Sequence, residues 1–186
     1  MNNIKVNYSF ISELEGGAQL NGYVPDAANS KSGVTIATGF DIGQRSREDL
    51  ERMFFIARPS LIDKLLPYCE QHGEHAQMML NLMPLKVSED EATLIDKCAK
   101  FESITLLADK YNQHSAIKFE QLPEPMQTVI ASVAFQYGDL AKRCPKFWRT
   151  AITQNTKAMI DELVDFGDRY STRRWREARY LEQGVN

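Results

Sequence analysis

Two short stretches decide the fold, SELEGG at Ser12–Gly17 and GVTIATGFDIG at Gly33–Gly43. In the first, Glu15 stands directly before two glycines, which commonly end a helix. In the second, small and apolar residues alternate along a β-prone segment that also carries Thr35 and Asp41. The sequence therefore predicts a short helix ending at Glu15, followed by a small antiparallel sheet on which Thr35 and Asp41 share one face.

The rest of the chain carries the start and stop signals of helices. Ser46 with Asp49, and Ser88 with Glu91, have the spacing of a capping box, which satisfies the first backbone N–H groups of a helix. A long turn is expected around Pro25–Gly33, and the fold class is α+β with the β-structure confined to the first quarter. The predicted helices after the sheet are Leu50–Phe55, Ser60–Leu66, Glu74–Leu82, a long one from Ser88 to near Tyr111, one that Pro125 starts and Gly138 closes, Phe147–Thr153, Lys157–Phe166 and about Thr172–Gln183.

The composition excludes several classes of function. The 186 residues, 43% of them hydrophobic and 25% charged, are enough for one or two small domains with a core. A formal net charge of −3 gives no general attraction to nucleic acid or to an anionic membrane. No segment approaches the roughly 20 apolar residues that span a bilayer, and the first residues lack the pattern of a signal peptide. We therefore expect a chain made in the cytoplasm, without membrane insertion.

One basic segment, RRWREARY at Arg173–Tyr180, is the strongest argument for a nucleic-acid partner. The segment is short, and Glu177 interrupts its positive charge. We interpret it as the solvated, partly packed face of the last helix, and we expect no nucleic-acid partner.

The three cysteines, Cys69, Cys98 and Cys144, show no metal-binding spacing. An odd number of cysteines in a chain of this length indicates buried thiols, not a disulfide framework. The sequence therefore predicts neither a metal site nor a cofactor.

Glu15 is a candidate for hydrolytic chemistry because it lies at the junction between the predicted first helix and the predicted sheet. Cleavage of a glycosidic bond needs a carboxylic acid that protonates the leaving oxygen, together with a second carboxylate. Asp26 and Asp41 are the candidates for the second group. Each also has a structural explanation, since Asp26 follows Pro25 in a turn and Asp41 can cap the turn that comes after it. The residues alone leave this choice open.

The separation of Thr35 from Asp41 sets a geometric condition on any shared site. Six residues of straight strand correspond to about 20 Å, which is too far for both side chains to contact one water molecule. Gly39 has no Cβ and is the position at which the strand can bend. A site that uses both residues therefore requires a bend or turn near Gly39 that folds Asp41 back.

The chain resembles the phage-type lysozymes in several collinear motifs between about residues 8 and 184. SELEGG, GYVPD and GVTIATGFDIG resemble the opening of that family, in which a helix-ending Glu-Gly leads into a hairpin bearing an aspartate and a threonine. VIASVAFQYG at Val129–Gly138 resembles its buried helix with a Phe-Gln-x-Gly ending, and RRWREARYLEQG at Arg173–Gly184 resembles its arginine-rich last helix. The resemblance implies that Gln136 binds substrate, although Gln136 can also serve to cap the helix end near Gly138.

Two departures from the phage pattern narrow the resemblance. Asp26 lies nine residues before Thr35, with a longer turn between them, and the strand lacks the histidine that usually follows its second glycine. Both features are similar to the pesticin-like toxin domains, in which the functional threonine is followed six residues later by the aspartate. Thr35 and Asp41 match that order and interval. The resemblance therefore implies catalytic roles for Glu15, Thr35 and Asp41, with Asp26 as the alternative to Asp41.

The resemblance also implies the function. We expect residues 1–186 to form a single lysozyme-like catalytic domain, with lobes of approximately 15–85 and 88–186 plus the N-terminal helix. Its expected activity is that of a monomeric muramidase that cleaves peptidoglycan in the periplasm or cell wall of a target bacterium, as an antibacterial toxin or secretion-system effector with an immunity protein as inhibitor. The alternatives are a phage endolysin and a non-catalytic module that binds peptidoglycan or a protein.

Overall fold

A computed structural model describes residues 4–56 and 58–184 of the chain. The strands are β1 (Gln19–Tyr23), β2 (Thr35–Ala37) and β3 (Phe40–Asp41). The helices are α1 (Tyr8–Glu15), α2 (Arg47–Phe54), α3 (Pro59–Leu65), α4 (Gly73–Leu82), α5 (Glu89–His114), α6 (Glu124–Tyr137), α7 (Leu140–Arg143), α8 (Pro145–Ile152), α9 (Thr156–Val164) and α10 (Ser171–Gly184). The structure confirms the predicted class, a mainly helical chain with a small antiparallel sheet near its N-terminus.

The chain divides into two compact units. The central unit is Gly16–Phe101, and the terminal unit comprises the residues up to Glu15 together with those from Glu102 onward. The boundary falls within α5, so the first half of this helix belongs to the central unit, beyond the lobe limit of about residue 85 expected from the sequence. That the two units act as one catalytic domain stays a prediction.

The central unit is built on a three-stranded antiparallel sheet in the order β1-β2-β3. The segment from Val34 to Asp41 does not run straight, because β2 and β3 form a hairpin with a turn at Thr38–Gly39. The turn that the sequence placed at Gly39 is therefore confirmed, and this glycine has a positive φ of 107°. Val34, Ile36, Phe40 and Ile42 lie in the buried core under α2, α3, α4 and the first half of α5.

The two capping signals of the central unit are confirmed, although α2 begins at Arg47, three residues before the predicted start at Leu50. Ser46 and Asp49 form the expected capping box at the start of α2. At the start of α5, the backbone N–H of Ser88 donates to Glu91 at 2.8 Å, and the N–H of Glu91 donates to the Ser88 hydroxyl at 3.1 Å. Lys64 adds an ion pair to Glu91 at 2.8 Å. These caps fix the starts of α2 and α5.

The terminal unit surrounds α6, which is buried along most of its length. Pro125 lies in its first turn, and Gly138 ends it with a positive φ of 72°, as the sequence predicts. The short helix α7 was not predicted; Asp139 caps it by accepting the N–H of Ala141 at 3.1 Å. The core includes residues of α1, α5, α6, α8, α9 and α10, among them Ile11, Tyr111, Val129, Ile130, Phe147 and Leu181.

Candidate active site

Glu15 is the last residue of α1 in the terminal unit, as the sequence predicts. Asn7 caps the start of this helix by accepting the N–H of Phe10 at 3.0 Å, and Gly16 ends it with a φ of 80°. Glu15 is half-buried, and its Oε2 atom is shielded from solvent. A carboxyl group is thus held at a fixed helix end.

Two contacts dock α1 against α10. The ring of Phe10 stacks on Tyr180 with centroids 4.1 Å apart, and Arg176 pairs with Glu13 at 2.9 Å. Phe10 contacts Tyr180, whereas Glu13, later in α1, contacts Arg176, which comes earlier in α10. The two helices therefore run antiparallel at this contact.

Gln136, the candidate substrate-binding residue, is half-buried near the end of α6. Its Oε1 atom accepts a hydrogen bond from Nη2 of Arg174. The helix end itself is closed by Gly138, whose N–H donates to the carbonyl of Ala134 at 2.7 Å. The side chain of Gln136 therefore bonds to α10, and the end of α6 is closed by backbone groups and not by this side chain.

Arg174 is the centre of a buried polar network in the terminal unit. Its side chain is only 1% exposed; Nε donates to Asp168 at 3.0 Å, and Nη1 donates to Glu177. The guanidinium also lies over the rings of Phe166 and Tyr137, at 4.6 and 5.4 Å from their centroids. The network ties α6, α10 and the segment before α10 together.

The charges of this network stabilise one another. Burial disfavours the charged form of Arg174, but Glu177 and Asp168 outweigh it and raise the pKa of the guanidinium. Burial likewise acts to raise the pKa of Asp168, but hydrogen bonds from Tyr137 and Arg174 prevail and lower it. The pKa of Tyr137 is raised, first by burial and then by its bond to Asp168. The two charges therefore stay ionised inside the fold at neutral pH.

Glu177 extends the network toward the middle of α6. Its Oε1 accepts from the hydroxyl of Ser132 at 2.5 Å and from Nε of Arg173 at 3.1 Å, and its side chain is fully buried. The interpretation of this segment as a solvated, partly packed helix face was therefore wrong for Arg174 and Glu177, which are buried. The available signal was the spacing of Arg173 and Arg174 four and three residues before Glu177, which lets both arginines reach one carboxylate on a helix.

The central unit brings Thr35 and Asp41 together. They are direct partners across the β2–β3 hairpin, so their side chains lie on the same face of the sheet. Thr35 is 4% exposed, and its hydroxyl donates to the carbonyl of Gly33 at 3.2 Å. A site that uses both residues requires a turn near Gly39 that folds Asp41 back toward Thr35, and the hairpin contains this turn.

Asp41 also has the structural role that the sequence allowed. It caps the 3-10 helix Ile42–Gln44 and accepts the N–H of Gly43 at 3.0 Å. The N–H of Gly33 lies 3.0 and 3.2 Å from its two carboxylate oxygens. Two backbone donors therefore fix the position of this half-buried carboxylate.

Gly33 and Gly43 are required by the close approach of their backbones. A Cβ on Gly33 would lie 2.4 Å from Cα of Gly43, and a Cβ on Gly43 would lie 2.3 Å from the carbonyl oxygen of Gln71. A side chain at either position cannot fit without moving the backbone. These two glycines thereby bring the N–H groups within reach of Asp41.

The tip of the hairpin is held by a residue that the sequence analysis missed. Asp96 on α5 accepts both the backbone N–H and the hydroxyl of Thr38, at 3.0 and 2.7 Å. Ala37 next to it has a φ of 55°, which is uncommon for a residue with a Cβ. A strained turn with a dedicated carboxylate anchor is thus part of the element that carries Thr35 and Asp41.

Asp26, the alternative second carboxylate, is exposed in the turn after β1. Its φ is 46°, its carbonyl accepts the N–H groups of Asn29 and Ser30, and its Oδ1 accepts from the Asn29 amide at 3.0 Å. These are the contacts of a turn residue.

All three cysteines carry free thiols. Cys69 and Cys144 are buried as predicted, whereas Cys98 is only half-buried, so the prediction was wrong for that residue. Within residues 4–56 and 58–184, no cluster of His, Cys, Asp or Glu side chains has the arrangement of a metal site. In the same ranges, no helix is long and apolar enough to cross a membrane.

A glutamate at the end of the first helix, a small antiparallel sheet after it and a mainly helical remainder define the class of lysozyme-like proteins. More specifically, the family model described as "Pesticin: Bacterial toxin homologue of phage lysozyme, C-term" matches residues 5–157. The chain therefore belongs to this family, which confirms the resemblance seen in the sequence. A comparison with curated proteins gave no match.

Membership of this family indicates a general class of activity and of substrate. It makes the chain a lysozyme-like domain of the bacterial toxin type, and it implies a glycoside hydrolase with peptidoglycan as substrate. The matched range contains Glu15, Asp26, Thr35, Asp41 and Gln136, whereas the buried charges of α10 lie beyond it.

Proposed function

We propose that this domain is a muramidase that hydrolyses the β-1,4 bond between N-acetylmuramic acid and N-acetylglucosamine. The observation that carries the proposal is Glu15, held as a half-buried carboxyl at the end of α1 in a chain of the lysozyme-homologue family. A positioned carboxylic acid at such a site can protonate the leaving oxygen as the sugar gains oxocarbenium character. Water then adds to the anomeric carbon, and the glycan strand is cut.

The second catalytic group in this proposal is Asp41, assisted by Thr35. The hairpin pairs these residues directly, and the N–H groups of Gly33 and Gly43 hold the carboxylate in place. A carboxylate fixed in this way acts as base or electrostatic stabiliser, while the threonine hydroxyl positions water or the intermediate. Asp26 is the alternative, but its position in an exposed turn gives it no comparable support.

Gln136 is proposed as a substrate-binding residue. It lies near the end of α6, in the same unit as Glu15, and a buried arginine holds its side-chain oxygen. Side chains fixed by a rigid surrounding network lose little freedom on binding, which favours a role in recognition.

The proposed biological role is that of an antibacterial toxin or effector domain. The family is one of bacterial toxin homologues, and the wall of a target bacterium is the place where its substrate lies. We infer that the producing cell protects itself with an immunity protein that inhibits the domain.

The test compares the wild-type protein with Glu15→Gln on purified, dye-labelled murein. Glutamine keeps the shape of the side chain but cannot donate the proton, so the rate is expected to fall by about 100-fold or more. Glu13→Gln is the matched control, since Glu13 is an exposed glutamate on the same helix. A Glu15→Gln protein that digests murein like the wild type contradicts the assignment, and a wild type that binds murein without releasing dye identifies a binding module.

A further inference from the structure

The environment of Gln136 fixes which end of its side-chain amide is held. An amide presents a carbonyl oxygen that accepts and an NH₂ group that donates, and the two ends have nearly the same shape. Arg174 has only donors, so the group of Gln136 that faces it must be the oxygen. The orientation of the amide follows from this chemistry.

Arg174 itself has no freedom to turn away. Each of its three guanidinium nitrogens has a partner, in Asp168, Glu177 and Gln136, and the side chain is 1% exposed. Glu177 is in turn held by Ser132 and Arg173. The bond to Gln136 is therefore one arm of a rigid, charge-balanced network, in which two arginines meet two carboxylates.

The NH₂ group of Gln136 is left on the open side. No acceptor within the described part of the chain takes its Nε2 atom, and this atom is not one of the buried polar atoms that lack a partner. Gln136 is half-buried, so Nε2 reaches solvent. The network thus presents one oriented hydrogen-bond donor at the end of α6.

We propose that Arg174 is a positioning residue, which holds Gln136 so that its Nε2 donates to an acceptor oxygen of the substrate glycan. This inference rests on the proposed function and deepens it, because it assigns the polarity of the contact. A fixed donor favours the carbonyl oxygen of an acetamido group, the strongest neutral acceptor on an N-acetylated sugar. It disfavours a glycan whose amino groups are free, since an ammonium group only donates.

Gln136→Glu separates this role from a purely structural one. A glutamate at this position still accepts from Arg174, so the fold and the melting temperature are expected to be kept. The same change replaces the outward NH₂ by a carboxylate oxygen that cannot donate. We expect KM for soluble murein fragments to rise about fivefold to tenfold, with a smaller change in kcat. Unaltered kinetics in a folded Gln136→Glu protein would overturn the inference.

Gln136→Ala and Arg174→Lys complete the test. Gln136→Ala removes the donor and leaves a buried arginine N–H without its acceptor, so both affinity and thermal stability are expected to fall. Lysine keeps the charge of Arg174 but not the planar fork, so affinity should fall because the amide is no longer fixed. An Arg174→Lys protein that is folded and has the wild-type KM contradicts the positioning role.

Binding measurements separate this inference from the proposed hydrolysis. Calorimetry with a tetrasaccharide of alternating N-acetylglucosamine and N-acetylmuramic acid, and with its de-N-acetylated form, needs no catalysis. If the wild type binds only the acetylated form and Gln136→Glu weakens that binding, the inference holds even where no cleavage is seen. If the wild type cleaves murein but Gln136→Glu binds the tetrasaccharide as tightly, the inference falls and the proposed function stands. If the wild type neither binds the tetrasaccharide nor cleaves murein, the inference and the proposed function are both contradicted.

Discussion

Thr35 and Asp41 lie directly opposite each other in the β2–β3 hairpin, although six residues separate them in the chain. The turn at Thr38–Gly39 creates this pairing, and Asp96 holds the turn from α5. The hairpin therefore converts two distant polar residues into neighbours on one face of a sheet. This arrangement is the basis for assigning them to one function.

Substitutions in the hairpin test that assignment. We expect Asp41→Asn and Thr35→Ala each to lower the rate of murein hydrolysis by about 100-fold or more, because each removes a group that acts on water or on charge. Asp41→Asn should also lower the stability by about 1 kcal/mol, because an amide oxygen is a weaker acceptor for the N–H groups of Gly33 and Gly43. Rates are therefore compared well below the melting temperature of each variant.

Asp26→Asn is the control for that experiment. Asp26 is exposed in a turn that asparagine also tolerates, so little change in activity or stability is expected. A large loss of activity in folded Asp26→Asn, with full activity in Asp41→Asn, would assign the second carboxylate to Asp26.

The close approach of Gly33 and Gly43 makes a prediction about stability alone. Gly43→Ala places a Cβ 2.3 Å from the carbonyl of Gln71 and should destabilise the protein by more than about 2 kcal/mol. Gly17→Ala is the matched control, since a Cβ there meets nothing within 4 Å. Urea unfolding of both variants measures the difference, and equal midpoints would mean that the backbone at Gly43 can move aside.

Local signals were sufficient for most of the fold. The glycines after Glu15, the capping boxes at Ser46 and Ser88 and the glycine that ends α6 each fix a helix limit through contacts within a few residues. Such contacts depend only on residues a few positions apart, so the sequence alone predicts them. The end of α5 at His114 and the short helix α7 lacked such signals and were not predicted correctly.

The candidate site was only partly predictable, for a physical reason. Glu15, Thr35, Asp41 and Gln136 were singled out from their motifs, but the partners that hold them were not. Arg174 joins Gln136 and Asp168 across long stretches of chain, and Asp96 reaches Thr38 from another helix. Such partners are decided by tertiary packing. The spacing of Arg173, Arg174 and Glu177 indicates ion pairs on a helix, but it does not indicate that the pairs are buried.

The cysteines predict an enzyme that is insensitive to reductant. Burial, the main cause, raises the pKa of Cys69 to about 11, and burial also raises the pKa values of Cys98 and Cys144. At neutral pH these thiols are protonated and poorly nucleophilic. Dithiothreitol and EDTA should leave the murein-hydrolysing activity unaltered, and iodoacetamide should label the native protein far more slowly than the denatured one. Loss of activity with EDTA would contradict hydrolysis by the carboxyl groups alone.

The buried network predicts acid sensitivity. The pKa of Asp168 is lower in the folded protein than in the unfolded chain, where it is about 3.9. Its contribution to stability is therefore complete above that value and is lost as the pH falls through the lower, folded pKa. Asp168→Asn should be less stable than the wild type at pH 7, and the gap should narrow below about pH 4. The exposed Asp165→Asn is the control, and a gap between Asp168→Asn and the wild type that does not depend on pH would contradict the account.

The chemical identity of the ends released from murein tests the central claim most directly. A muramidase adds water to the anomeric carbon of N-acetylmuramic acid, so borohydride reduction of the digest followed by mass spectrometry should find reduced muramic acid at the new ends. Glu15→Gln should yield almost none of this product, while Glu13→Gln should yield the wild-type amount. Reduced glucosamine ends, anhydro-muramic ends, or no soluble product from the wild-type protein would contradict the assignment of this domain as a muramidase with Glu15 as its acid.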